Sequence, residues 1–130
     1  MADGAQSSWT DSQLDAITAT NDFHVAPYRE DGTTPGTPVW VWAVAVGDAV
    51  FVRSTNPASR WFAAAITQRA GRVSFGGWEG VVTYTLVTDT GTLDAVDAEF
   101  RRKYRDDAYL SEALLAGSRT QVAAIRPAAA

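Results

Sequence analysis

Residues 39–46 read VWVWAVAV. At the two-residue period of a strand, Trp40, Trp42, Val44 and Val46 share one face, and Val39, Val41, Ala43 and Ala45 share the other. Neither face carries a polar side chain, so the strand is expected to be covered on both sides. Large residues on one face and alanines on the other suit the wall of a barrel. Gly47 and Asp48 follow, and with residues 49–53 beyond them, apolar through Val52, they predict a hairpin.

Upstream, Thr10 and Gln13 have the spacing of a capping box, so a short helix is predicted to start there, with Trp9 and Leu14 placed as a hydrophobic staple. Residues 23–28, FHVAPY, read as a strand, with Pro27 near an edge or an end. Residues 29–38 are dense in turn formers. Downstream, Asn56 as N-cap and Pro57 at the first helical position predict a helix running to about residue 70, with Gly71 just past its end. Two strands, 72–75 and 81–87, are joined by Gly-Gly-Trp-Glu-Gly. Leu93, Val96, Phe100 and Tyr104 fall at helical spacing, a short helix is expected over 108–116, and residues 120–126 read as a last strand. Antiparallel hairpins with helices laid outside them make an α+β domain. Its expected bounds are 9–126, with an N-terminal tail of 1–8 and a C-terminal tail of 127–130.

A chain of 130 residues is sized for one domain with one core. It has no cysteine, which excludes disulfides and thiolate metal sites and fits a reducing, cytoplasmic setting. The net charge of −4 offers no basic field for nucleic acid or an anionic membrane. No run is long and apolar enough to span a bilayer, no signal peptide is visible, and no set of metal ligands is present.

The chemistry-bearing stretch is residues 53–62, RSTNPASRWF, between a strand and a helix. A helix start leaves backbone N–H groups unpaired and a partial positive charge. Arg53, Ser54, Thr55, Ser59 and Arg60 would surround it with donors suited to a phosphate or a carboxylate. The plainer reading is a capped helix whose arginines pair with some of the 15 carboxylates. His24, the single histidine, shares a strand face with Tyr28; the two could serve as acid/base and donor, or His24 could be solvent-facing or structural. Arg29, beside them in Arg-Glu-Asp-Gly, could join an anion site or belong to a solvated turn. Trp40, Trp42, Trp61 and Trp78 could stack on a planar ring, although the first two, at period two, read more simply as core. Trp78, between glycines in a hairpin loop, reads as an interface plug or a ligand lid. Residues 101–107, RRKYRDD, read as the solvated face of a helix.

The stretches HVAPYREDG, TPVWVW, FVRSTNPASRWFAAA and EFRRKY resemble a small bacterial domain family of unknown function. That family is in turn similar to the FMN-binding split-barrel superfamily, with its pyridoxamine-phosphate-oxidase-like and deazaflavin-dependent nitroreductase-like members. The resemblance implies a six-stranded, mostly antiparallel split β-barrel with flanking helices, assembled as a homodimer. It also implies an FMN or deazaflavin cofactor, its phosphate held near the 53–62 junction by Arg53, Ser54, Thr55, Ser59 and Arg60, with Trp61 and Trp78 beside the ring. The function expected on that basis is a flavin- or deazaflavin-type oxidoreductase, or a binder of a small anionic ligand. Two alternatives stay open: a cofactor-free enzyme using His24 for proton transfer in the barrel lumen, and a non-catalytic binding or structural module.

Overall fold

A computed structural model describes residues 8–128. Its elements are α1 (Asp11–Ala19), β1 (Phe23–Pro27), β2 (Val39–Trp40), β3 (Trp42–Val46), β4 (Ala49–Arg53), α2 (Arg60–Gln68), β5 (Ala70–Phe75), β6 (Trp78–Leu86), α3 (Thr90–Lys103), α4 (Glu112–Gly117) and β7 (Val122–Pro127). The strands form one antiparallel sheet in the order β2-β1-β5-β6-β7-β4-β3. The fold is α+β: a curled half-barrel sheet of seven strands, close to a split barrel, with four flanking helices.

The seventh strand comes from residues 39–46, which form two strands where one was expected. Trp40 pairs with His24 and Val39 with Val25, on β1. Trp42 pairs with Arg53 and Val46 with Ala49, on β4. Between the two halves, the Val41 N–H donates to Phe23 O at 3.0 Å. One residue therefore separates β2 from β3, although they occupy opposite ends of the strand order. A twisted antiparallel sheet can satisfy both pairings only by curling until its two ends meet.

The two faces of this wall carry separate cores. Inward, Val41 and Ala43 join Val50, Val52, Val73 and Ile125 in a core closed by Ile17 of α1 and by Phe62 and Ala65 of α2. Outward, Val44, Phe51 and Val122 pack under Leu93, Val96 and Phe100 of α3 and Leu115 of α4. Each large apolar side chain so buried contributes roughly 1.5–3 kcal/mol. Coverage on both sides thus holds for the β3 half. The β2 half is open, with Trp40 at 49% and Val39 at 36% exposure.

Local signals fare unevenly. The Thr10–Gln13 capping box forms in both directions, with bonds of 2.9 and 3.2 Å. Helix α2 begins later than expected: Ser59 is its cap, accepting from Phe62 N at 3.2 Å. Asn56 instead folds its Oδ1 back onto Ala58 N, at 2.9 Å, and makes a turn ahead of the helix. Arg69, at φ 61°, ends the helix in the left-handed conformation. Gly71 is no cap but a strand residue, where a Cβ would fall 2.5 Å from Pro27 Cα. Helix α4 starts at Glu112, capped by Ser111, rather than near residue 108. Pro127, expected in the tail, pairs with Val82 in β7. The rest of the expected tails, residues 1–7 and 129–130, lies outside the described residues.

The charge run at 101–107 is only partly solvated. Edge strand β3 would leave the N–H and C=O of Ala43 unpaired. The Tyr104 hydroxyl accepts from Ala43 N and donates to Ala43 O, both at 3.1 Å. Lys103 Nζ donates to Ala43 O and to Ile17 O, each at 2.7 Å, tying α3 to the edge and to the end of α1. Burial pushes the Lys103 ammonium down to about 8. Among the described residues no helix is long and apolar enough to cross a membrane.

Candidate functional site

Between β4 and α2, residues 54–59 are held from within. Asn56 O accepts from Ser59 N at 3.0 Å, from Ser54 Oγ at 3.1 Å and from Gln121 Nε2 at 2.9 Å. Ser54 N donates to Gln121 O at 3.0 Å, which fastens the loop to the start of β7. These bonds occupy the Ser54 hydroxyl, and the Ser59 hydroxyl accepts from Phe62 N as the cap of α2. The Thr55 hydroxyl and the Arg60 guanidinium have no partner among the described residues.

This loop forms one side of a cleft of about 900 Å³. Ser54, Thr55, Asn56, Ser59 and Arg60 are polar lining; Trp40, Trp42, Trp61 and Tyr109 are aromatic lining. Trp40 and Trp42 reach the cleft because the wall turns at Val41 and opens beside the start of α2. Trp42 is steadied from behind by Tyr104, stacked with ring centroids 5.0 Å apart. Trp40 Nε1 donates to Asn21 O. Tyr109, 80% exposed, stands on the rim.

Residues 13–125 match the model of a family described as "Uncharacterized protein conserved in bacteria (DUF2255)". The chain belongs to that family. No curated protein matches it.

In this DUF2255 chain the two junction arginines have different fates. Arg53 is 2% exposed and lies under α3. Its Nη2 donates to Asp97 Oδ1 at 2.6 Å and to Leu115 O at 3.3 Å, and its guanidinium carbon lies 5.1 Å from the centre of the Phe100 ring. Arg119 Nη1 holds the other Asp97 oxygen at 2.6 Å, and its Nη2 reaches Asp94 at 2.6 Å. Pairing with carboxylates, the plainer expectation, therefore describes Arg53. Arg60, on the cleft, has no partner among the described residues.

The remaining candidates are dispersed. His24 lies on the strand face opposite Phe23 and Val25, which are the residues of β1 that enter the apolar interior. The lumen is filled by that core, so His24 is not placed for proton transfer there; its Nδ1 sits 3.3 Å from Asp22. Tyr28 lines a second cleft of about 600 Å³ with Arg29, Glu30, Asp31 and four residues of α2. Asp31 there accepts from the backbones of Thr33 and Thr34 and from the Thr34 hydroxyl. Those bonds hold its carboxyl down to about 2. The stretch is thus a hydrogen-bonded turn. Trp78 is not in a loop: Gly76 and Gly77, at φ 47° and 85°, make a two-residue turn, and Trp78 opens β6. It packs 5.2 Å from Trp9 and 5.3 Å from Phe75, away from the large cleft. Among the described residues no group of three His, Cys, Asp or Glu could hold a metal.

Two features escaped the sequence reading, Tyr109 on the cleft and Asp97, which lies outside its lining and holds Arg53. Tyr109 carries no periodic signal. Asp97 does carry one: it falls on the same helical stripe as Leu93, Val96 and Phe100, and a carboxylate among core positions announces a buried partner.

Proposed function

We propose that the chain binds a small planar anionic ligand of flavin or deazaflavin type in the cleft between β4 and α2. The observation that carries this reading is the convergence of an unpaired Arg60 and Thr55 with Trp40, Trp42 and Trp61 on a single cleft. Its volume of about 900 Å³ lies within the range of cofactor pockets. The ring of the ligand stacks on the tryptophans and its anionic group meets Arg60. A bound flavin would supply the redox chemistry; the residues of the chain bind it, orient it and keep water from one side. The ionisable groups on the cleft are Arg53, Arg60, Asp107 and Tyr109, so His24 takes no part.

Titration with FMN and with a deazaflavin, followed by tryptophan fluorescence and visible absorbance, tests the reading. Saturable quenching is expected, weakened about ten-fold in Arg60→Ala, the loss expected for a charge-assisted contact. Unchanged fluorescence and melting temperature with both ligands would sink the proposal.

A further inference from the structure

Arg53 carries five N–H donors. The two on Nη2 are directed to Asp97 and Leu115. Nε and Nη1 are buried and have no hydrogen-bond partner. Unsatisfied donors on a buried cation are rare, because the group has left water without replacement. Arg53 is also part of the cleft wall, as are Trp42, its cross-strand partner, and Leu114, the neighbour of the residue that accepts from Nη2. Arg53, whose guanidinium is buried and under-satisfied, is thus a lining residue of the cleft of about 900 Å³.

Arg53 and Arg119 pair with Asp94 and Asp97. Arg60, on the same cleft, is paired with no carboxylate among the described residues; Asp107 also lines the cleft but makes no ion pair with it.

We propose that Arg53 is a buried recognition group for an anionic oxygen, a carboxylate or a phosphate, that reaches Nε and Nη1 from the cleft between Trp42 and Leu114. Arg60 supplies the balancing charge at the surface. Asp97 and Arg119 act as positioning residues: they hold the guanidinium in place but do not touch the ligand. The inference rests on the cleft being a ligand site and not on the ligand being a flavin.

The test is NMR of the arginine Nε–H signals in the full chain, assigned with Arg53→Lys. The probes are benzoate, phenyl phosphate and neutral benzamide, in chloride-matched buffer. Benzoate or phenyl phosphate should shift the Arg53 Nε–H saturably and slow its exchange with water, while benzamide should bind about ten-fold more weakly or not at all. The tighter of the two anions identifies the group recognised. Arg53→Lys, which keeps the charge beside Asp97 but removes the extra donors, should weaken anion binding about ten-fold. Should that variant fail to fold, the wild-type response to the three probes decides alone, with the signal assigned through its proximity to Phe100. An Arg53 signal unmoved by saturating amounts of both anions overturns the proposal, and so does equal binding of benzamide. A benzoate response without flavin binding would retain the anion site and discard the flavin reading; flavin binding with a silent Arg53 would do the reverse.

Discussion

Arg53 and Arg60 are seven positions apart in one stretch of sequence, and their surroundings are opposites. Arg53 ends a strand, is directed to the outer face, and meets a carboxylate, a carbonyl and an aromatic ring under α3. Arg60 opens a helix, lines the cleft and has no side-chain partner among the described residues. The comparison extends to their regions. On the α3 side nearly every polar group has an internal partner, Lys103 and Tyr104 included; at the junction the loop satisfies itself and leaves Thr55 and Arg60 over. The same residue type is thus buried and ion-paired in one place and, among the described residues, unpaired at the surface in the other. Register and element type, rather than composition, make the difference.

The largest test of this contrast is Asp97→Asn. It leaves two arginines beside a neutral side chain in a buried setting and should cost about 3–5 kcal/mol in urea unfolding. Arg60→Ala should change stability by less than about 0.5 kcal/mol. Equal losses would break the comparison. Ser59→Ala comes next, at about 1 kcal/mol for a lost cap, while Asn56→Ala should cost only a few tenths, about what an exposed turn is worth. The reverse order would restore Asn56 as the cap.

A further effect is pH-dependent. Lys103 titrates at about 8 in the folded chain, against 10.5 for an ordinary lysine. Between those values the unfolded chain holds a proton that the folded chain has released, so this group favours folding increasingly as pH rises. Wild-type protein should therefore gain in urea midpoint relative to Lys103→Met between pH 8 and 10.5. Burial pushes the Tyr84 and Tyr104 hydroxyls up, which works in the opposite sense at higher pH, but both chains share those tyrosines. A constant gap across the window would mean that Lys103 is not held charged against burial.

Much of this was legible in the sequence. The alternation in residues 39–46 announced a two-sided wall, and the apolar spacing of Leu93, Val96, Phe100 and Tyr104 announced the face of α3 that is buried. The Thr10 cap was legible because all its parts are local. What was not legible depends on distant partners. No local pattern says that residue 41 is where one pairing ends and another begins, since both halves are equally apolar. Asn-Pro has the form of a helix start, but Ser59 competes for the same role and wins, because Asn56 is drawn into a turn tied to Gln121. Of the expected site, Ser54, Thr55, Ser59, Arg60 and Trp61 converge on one cleft, being neighbours in sequence. His24, Tyr28 and Trp78 do not line that cleft, although His24 is the cross-strand partner of Trp40, which does.

The position of β7 has a consequence for how the molecule comes into being. It lies between β6 and β4, and it is synthesised after every other strand. Without it the strands pair as two separate sheets, β2-β1-β5-β6 and β4-β3, joined by the backbone at Val41 and by the stretch through α2 that leads from β4 into β5. Residues 122–127 join them by pairing with both. The rim of the cleft is built from both sheets, Trp40 from the first and Trp42 from the second. On the ribosome, then, the cleft between the two sheets is expected to follow the arrival of β7, and a nascent chain halted before that strand would carry the lining residues without the cleft.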